Sequence, residues 1–303
     1  MRVIFYLLLV KTVYAGTKVT VGILTQEISP TLQKCIRQDA KHTDDYTAFI
    51  VSSYVKFVES SGARVIPIKL DKNEPYYEHI IGNVSGLLIP GGVSKLETGS
   101  FYEALKVLYK IIVRKNEAGD YFPILGICLG MEGLVMVANK NVNIRKHCRA
   151  ENILLDINVT SSKNSKMFKN IETIKNDLKK VAPHFHNYCI LKEDLSQRNW
   201  LVTSENFDEE DNLFVASLEH KKYPFYGLQF HPEKNAFEWK NDLNLNKSPS
   251  GIRASRYFGD FFIEECRKND NVLQDNKFLF INRYDQIPTG KYGCAFDSVY
   301  VFE

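Results

Sequence analysis

Residues 122–133 read FPILGICLGMEG, and this stretch decides the fold. The apolar run PILGI is typical of a buried strand, and helix-forming residues follow from Leu129. Cys128 lies at the junction, between Gly126 and Gly130, in the pattern of a nucleophile elbow. The glycines leave room for a strained backbone at the cysteine, and the helix N-terminus is expected to favour its thiolate. The stretch therefore predicts a strand, a sharp turn with a reactive thiol, and a helix.

Strands and helices alternate on both sides of this elbow. We predict strands over 19–24, 64–68, 86–92, 123–127, 214–218 and 225–230, and helices over 46–58, 101–114 and 254–268. Such alternation favours an α/β fold with an open, mostly parallel central sheet flanked by helices. The alternation of strand and helix patterns is lost over 139–194, which we interpret as a mixed insertion. Residues 269–303 show no clear hydrophobic period. We expect 16–303 to form a single domain.

The first fifteen residues have the pattern of a secretory signal peptide. A basic start is followed by a short apolar run and a small residue, Ala15, so cleavage is expected near Gly16. The run is too short to span a membrane, and a buried first strand is the alternative. Entry into the secretory pathway would make the sequons at Asn83 and Asn158 glycosylation sites. The expected destination is a lysosome, a vacuole or the extracellular space.

The composition excludes several classes of protein. The chain has 303 residues, 44% hydrophobic residues and a net charge of only +3, which describes a globular protein without a nucleic-acid partner. Its six cysteines form no CxxC pair, so no metal site is predicted. If Cys128 is free, five cysteines remain, and at least one of them must also be unpaired.

A second motif supplies a partner for the thiol. The sequence YGLQFHPE, residues 226–233, ends a predicted strand on His231. This imidazole can take the proton of Cys128 or form an imidazolium–thiolate pair with it. Glu233, just beyond the proline, can fix the tautomer of the imidazole. Together the two motifs predict nucleophilic catalysis by a cysteine.

Both motifs, GICLG and QFHPE, resemble the catalytic motifs of class I glutamine amidotransferase-like enzymes. Within that class the chain is more similar to the γ-glutamyl hydrolase family. The similar segments are VGILTQE from Val21, SYVKFVESSGARVIPI from Ser53, GLLIPGG from Gly86, DYFPILGICLGMEGL from Asp120, FHNYCI from Phe185 and YGLQFHPEKNAFEW from Tyr226. Glu132 supports the hydrolase branch, since amidotransferases generally carry glutamine there. Ile127 departs from the threonine of many hydrolases.

The resemblance implies a role for each of eight residues. Cys128 would be the nucleophile, His231 the general base and acid, and Glu233 the orienting carboxylate. Further residues would form the oxyanion hole (Gly92 and Leu129) and bind substrate (His186, Gly91 and Glu132). The neighbouring His184 is expected at the surface.

The function implied is hydrolysis of γ-glutamyl amide bonds of folylpoly-γ-glutamates or related conjugates through a thioester acyl-enzyme. No metal or organic cofactor is expected, the partner is a small-molecule substrate, and a homodimer is left open. One alternative is a glutaminase domain that feeds ammonia to a partner synthetase, against which the secretory start argues. Another is a secreted binding glycoprotein without catalysis, against which the intact Cys128, His231 and Glu233 argue.

Overall fold

The computed structural model describes residues 18–39, 46–195, 199–274 and 278–303, so the predicted signal peptide lies outside the described residues. Within these ranges there are thirteen strands and seven α-helices. The strands β1 to β13 are Thr20–Leu24, Gln26–Glu27, Ala48–Val51, Arg64–Ile68, Gly86–Ile89, Ile124–Ile127, Arg145–Leu155, Ala182–Ile190, Trp200–Phe207, Leu213–His220, Phe225–Leu228, Gln286–Ile287 and Val299–Phe302. The helices α1 to α7 are Pro30–Ile36, Ser52–Ser60, Glu74–Ile81, Ser100–Glu117, Leu129–Ala138, Pro232–Phe237 and Pro249–Cys266.

The central sheet has seven strands in the order β4-β1-β5-β6-β11-β10-β9. The first five are parallel, and β10 and β9 add an antiparallel edge. The prediction of an open, mostly parallel sheet is therefore confirmed. Because β5, β6 and β11 are parallel neighbours, their carboxyl ends meet at one edge, where sites of open α/β sheets form.

Helices cover both faces of this sheet. The side chains of α2 and α7 form one apolar layer, and those of α3, α4 and α5 form the other. Leu87 and Leu88, neighbours in β5, belong to opposite layers because strand side chains alternate between faces. Both faces are thus buried, which explains the uninterrupted apolar runs of the parallel strands. Within the described ranges, no helix has the length and apolarity that crossing a membrane requires.

A second sheet corrects one prediction. Residues 46–58 do not form one helix, since β3 occupies Ala48–Val51 and α2 begins at Ser52. The strand pairs with β13 from the far end of the chain and with β2, in the order β12-β13-β3-β2. The local apolar spacing fits a helix equally well, so only this distant pairing decides for a strand. Gly62 follows the helix with a positive φ of 91°, the left-handed conformation in which glycine commonly ends a helix.

The insertion contains β7 and β8, which form an antiparallel two-stranded sheet. A disulfide between Cys148 and Cys189 joins these two strands, and a second one, Cys35–Cys294, joins α1 to the C-terminal segment. Cys128 and Cys266 are free and buried. The expectation of a further unpaired thiol is therefore confirmed.

Candidate active site

Cys128 sits on a strained turn between β6 and α5. Its backbone has φ 51° and ψ −114°, a conformation that side-chain-bearing residues rarely adopt. Its N–H donates to the carbonyl of Leu228 at 2.7 Å, which ties the turn to the neighbouring strand β11. A Cβ on Gly130 would collide with the carbonyl oxygen of Ile89, so glycine is required there. The geometry is the predicted nucleophile elbow.

His231 follows β11 at the same edge of the sheet. Its N–H donates to the carbonyl of Pro183 at 2.9 Å, and Pro232 then begins α6. The imidazole Nδ1 lies 2.7 Å from Oε1 of Glu233, and both side chains are buried. The sequence-predicted histidine and carboxylate are therefore a hydrogen-bonded pair.

Cys128 and His231 converge beside Gly91, in the turn after β5. A Cβ built on Gly91 would lie 2.9 Å from Cβ of Cys128, 2.8 Å from Cε1 of His231 and 2.8 Å from the hydroxyl of Tyr54. Three side chains thus surround the glycine, which leaves no space for a fourth. The Gly91 N–H donates to the Tyr54 hydroxyl at 2.9 Å, and this hydroxyl lies 3.3 Å from Nδ1 of His231.

Opposing effects act on the pKa of the Cys128 thiol. Burial raises its pKa well above the ordinary range, and the nearby Glu132 carboxylate raises it further. The N–H of Leu129, in the first turn of α5, lowers the pKa, but its effect is smaller. The helix N-terminus therefore favours the thiolate as expected, but removal from water has the larger effect on the pKa.

Glu132 forms one wall of the site from the first turn of α5. Its buried carboxylate accepts a hydrogen bond from Nε2 of Gln229 at 3.0 Å and pairs with Nη1 of Arg145 at 3.3 Å. Burial raises its pKa to about 7, against the lowering effects of Gln229 and Arg145. Nε2 of Gln229 also lies 3.8 Å from Sγ of Cys128. Gln229 therefore links Cys128 to Glu132.

Two cavities adjoin at Cys128 and bring most of the predicted residues together. One, of about 460 Å³, is lined by Gly92, Cys128, Leu129, Glu132, Arg145, Phe185 and His186 among others. The other, of about 470 Å³, includes Tyr54, Gly91, Gly92, Cys128, His231 and Lys234. Glu233 is fully buried against the imidazole of His231.

Of the two histidines of β8, His186 lines the first cavity, whereas His184 differs from expectation. His184, predicted at the surface, is fully buried against the rings of Phe214 and Phe230. Its Nδ1 lies 2.9 Å from Nε2 of His186. Burial lowers the pKa of both, that of His186 to about 3, with the charge of His231 lowering it further. Both imidazoles are therefore neutral, and His184 holds His186 at the cavity wall.

The structure also bears on the two predicted glycosylation sites. Asn83 is only 8% exposed, its amide nitrogen donates to the carbonyl of His79 at 2.9 Å, and its oxygen accepts from the N–H of Gln274. A glycan on that nitrogen would disrupt these contacts, so the folded chain contradicts the assignment of Asn83. Asn158 is exposed and stays a prediction.

Sequence reasoning missed several residues of the site. Tyr54 lay within a run interpreted as a helix face, and Arg145 comes from the insertion, where no local pattern marks it. Gln229 lies within the histidine motif and Lys234 directly follows it, and their positions near His231 were the available signal. Phe185 faces His231 with ring centroids 5.9 Å apart.

Comparison with known proteins first defines the class. Residues 43–247 match the family "Glutamine amidotransferase class-I". Among solved structures, the glutaminase domain of Trypanosoma brucei CTPS with bound acivicin is similar in fold. It has a TM-score of 0.53 and 17% identity, and the match covers 86% of this chain and 99% of that one.

Curated relatives then define the family more closely. The chain is 34% identical to the γ-glutamyl hydrolase of Rattus norvegicus, covering 84% of this chain and 83% of the relative. It is 30% identical to the human γ-glutamyl hydrolase, covering 90% and 88%. It is also 30% identical to γ-glutamyl hydrolase B of Dictyostelium discoideum, covering 93% and 82%. The chain belongs to the γ-glutamyl hydrolase family within the class I glutamine amidotransferases.

Proposed function

We propose that the protein hydrolyses γ-glutamyl amide bonds through a cysteine nucleophile, and that folylpoly-γ-glutamates or related γ-glutamyl conjugates are its substrates. The observation that carries the proposal is the convergence of Cys128 and His231 beside Gly91. The hydrolase relatives support the reaction, and the adjoining cavities supply space for a small-molecule substrate. An enzyme of this design needs no metal or organic cofactor, because the thiol and the imidazole supply the chemistry.

Acylation begins with a neutral thiol. Nδ1 of His231 donates to Glu233, so Nε2 is the basic nitrogen and takes the proton from Sγ of Cys128. The sulfur attacks the γ-carbonyl carbon, and the carbonyl electron pair moves to the oxygen. The N–H groups of Leu129 and Gly92 donate to this oxyanion. Gly91 is not assigned to it, since its N–H already donates to Tyr54.

The leaving amine departs with a proton from His231. The carbon–nitrogen bond breaks, and the γ-glutamyl group stays on Cys128 as a thioester. A water molecule then gives a proton to His231 and attacks the same carbonyl. The sulfur leaves and regains the proton, which restores the resting thiol and releases the γ-carboxylate product.

Glu132 and His186 are proposed to contact the substrate from the first cavity. The neutral imidazole of His186 can hydrogen bond without carrying charge, whereas Glu132 can accept from a substrate N–H. Gly91 contributes by leaving the space in which the thiol, the imidazole and the scissile bond meet.

The secretory pathway is the proposed location, with lysosomal, vacuolar or extracellular delivery. The two disulfides support it, since such bonds persist in oxidising compartments. The glutaminase alternative is not favoured, because the curated relatives of similar length are named as hydrolases.

The test is incubation of the protein lacking residues 1–15 with folate pentaglutamate, with products followed by mass spectrometry. We expect shortened folates and released glutamate or short γ-glutamyl peptides, and no products from the Cys128→Ala variant. Cys266→Ala is the matched control, because Cys266 is also free and buried. Release of ammonia from glutamine without any cleavage of the pentaglutamate would instead identify a glutaminase.

A further inference from the structure

We infer that Arg145 binds the α-carboxylate of the glutamyl residue that is transferred to Cys128, and that this residue occupies the first of the two cavities. The inference rests on the proposed function and extends it, because it assigns each half of the substrate to one cavity. Arg145 is the first residue of β7 and lines the first cavity, of about 460 Å³, together with Cys128 and Glu132. The second cavity, of about 470 Å³, contains His231.

The position of His231 decides which half of the substrate lies in which cavity. Cys128 lines both cavities, so the carbonyl carbon that it attacks lies at their junction. The leaving nitrogen receives its proton from His231 and must lie within hydrogen-bond reach of it. Among the described residues, His231 lines the second cavity and not the first. The leaving glutamate therefore extends into the second cavity, which leaves the first for the glutamyl residue that acylates Cys128.

The guanidinium of Arg145 is fixed at the wall of the first cavity. Its side chain is 13% exposed, and its Nε donates to Oδ1 of Asn143 at 3.2 Å. Its Cζ lies 5.2 Å from the ring centroid of Tyr188, which lines the same cavity. A planar guanidinium whose orientation is already set loses little conformational freedom when a carboxylate binds to it.

Arg145 keeps hydrogen-bond donors for a ligand, since a guanidinium has five N–H groups. In the described ranges, its side-chain hydrogen bonds use Nε, to Asn143, and one N–H of Nη1, to Oε2 of Glu132 at 3.3 Å. Nη2 faces Glu97, whose Oε1 at 4.0 Å lies beyond hydrogen-bond distance. A carboxylate can therefore accept from Nη2 and from the second N–H of Nη1, in the two-bond geometry that arginine and carboxylates prefer.

Two acidic side chains of the first cavity oppose a bound carboxylate, and both are weakened. Burial raises the pKa of Glu132 to about 7, so this group carries only part of a negative charge near neutral pH. Glu151 is exposed, so solvent screens its charge, and it accepts from Nδ2 of Asn187 at 2.9 Å. Arg145 is the one cationic side chain that lines this cavity in the described part of the chain. An anionic group that enters the cavity therefore has its favoured position beside Arg145.

The spacing suits a γ-linked glutamate. Three aliphatic carbons separate its γ-carbonyl carbon from its α-carboxylate, a span of about 5 Å when extended. Between the sulfur and the guanidinium lie Gln229, whose Nε2 is 3.8 Å from Sγ of Cys128, and Glu132, which contacts Gln229 at 3.0 Å and Arg145 at 3.3 Å. The glutamyl chain can lie along these side chains, with its carbonyl at the thiol and its α-carboxylate at the guanidinium.

The experiment compares three synthetic substrates of the protein lacking residues 1–15. The parent compound is 4-aminobenzoyl-glutamyl-γ-glutamate. A second compound has the α-carboxylate of the first glutamate converted to a carboxamide, and a third has the same change on the leaving glutamate. We expect the wild type to favour the parent over the second compound by about 10- to 100-fold in kcat/KM, because a charged hydrogen-bonding pair is lost.

The variants test which residue gives this preference. In Arg145→Gln the preference for the parent over the second compound should fall to about one, whereas the ratio of parent to third compound should stay at its wild-type value. Arg145→Lys, which keeps the charge but not the paired donors, should keep an intermediate preference. Arg149→Gln is the matched control, because Arg149 lies on the same strand, pairs with Glu209 at 3.0 Å and does not line the first cavity. It should keep both ratios.

Each other outcome contradicts a defined part of the inference. A wild type that cleaves the parent and the second compound equally overturns it without any variant, so a misfolded Arg145→Gln cannot obscure the answer. Equal losses on these two compounds in Arg145→Gln would mean that Arg145 only neutralises Glu132. A change confined to the ratio of parent to third compound would reverse the two cavities. A similar loss in Arg149→Gln would attribute the preference to net charge. Cleavage of none of the compounds by the wild type would contradict the proposed function itself.

Discussion

The carboxyl ends of β6 and β11 both deliver a reactive side chain to the cavity, but they do so by different means. After β6, Cys128 is positioned by its backbone, which bends at a positive φ because Gly130 allows a close approach to Ile89. After β11, His231 is positioned by side chains, namely Glu233 and Tyr54.

The two side chains differ in how far their positions depend on residues that are adjacent in the sequence. The elbow needs only a strand, two glycines and a helix, all adjacent in the chain. The imidazole needs a hydroxyl from α2 and a glycine N–H from the turn after β5, which come together only in the folded protein. Substitutions after β6 should therefore change activity or stability by altering the thiol or the backbone. Substitutions around β11 should change activity by altering the hydrogen bonds of the imidazole.

The largest expected effect is the loss of the nucleophile. Cys128→Ala should lower kcat by about 10⁴-fold or more on folate pentaglutamate, because the thioester can no longer form. Its thermal unfolding should resemble that of the wild type, since one sulfur is removed without disturbing the turn. Calorimetry and product analysis check both points. Near-normal turnover would show that the elbow does not carry the chemistry.

The pair after β11 should show graded effects. His231→Ala should lower kcat by about 10³- to 10⁴-fold, since both proton transfers are lost. Glu233→Gln should cost less, about 10- to 100-fold, because Glu233 acts on the reaction only by orienting the imidazole. Steady-state kinetics of the two variants on one substrate give the comparison. An equal or inverted order would mean that the carboxylate has another role.

Backbone positioning at β6 is tested by Gly130→Ala. The added methyl group would meet the carbonyl oxygen of Ile89, which cannot move away within the sheet. We expect a loss of about 3 kcal/mol in unfolding free energy and a Tm lower by about 6–12 °C. Gly82→Ala is the matched control, because its φ is −70° and its nearest contact would be 3.4 Å. Similar Tm values for the two variants would contradict the conclusion that the backbone around Gly130 positions Cys128.

Glu132 should make the free energy of unfolding depend on pH. The folded pKa of Glu132, about 7, exceeds the ordinary 4.5, so the folded state binds the proton more tightly. Protonated Glu132 therefore stabilises the folded state below about pH 4.5. This contribution to the free energy of unfolding is lost as the pH rises to about 7, a change of about 3 kcal/mol. Urea unfolding at pH 5 and pH 7.5 should show this fall in the wild type and a smaller one in Glu132→Gln. A variant with the same pH slope as the wild type would reject the assignment.

The smallest expected effect is at Tyr54. Tyr54→Phe removes the hydroxyl between the Gly91 N–H and His231, and we expect kcat to fall by about tenfold with little change in KM. The acid limb of the kcat/KM profile should also move, because the environment of the imidazole changes. Tyr257→Phe, which removes a hydroxyl bonded to the carbonyl of Met167, should change neither. An unshifted profile would leave Tyr54 with a packing role alone.

The central sheet could be predicted from the sequence because each parallel strand is a short apolar run followed by a helical pattern. The prediction failed over 46–58, where β3 depends on pairing with β13. The raised pKa of Cys128 also could not be predicted, since burial depends on the packing of the entire cavity. Lys234 directly follows the histidine motif, but its contacts with Phe185 and Phe296 are visible only in the folded chain.

The sequence by itself determined the elbow, the strand-ending histidine and its carboxylate, because local steric limits and chain order fix these features. Tertiary structure alone decided what surrounds them. It joined Tyr54 to His231, paired Arg145 with Glu132 and placed Lys234 over the ring of Phe185. The physical reason is that hydrogen bonding and desolvation depend on distances between atoms that lie far apart along the chain.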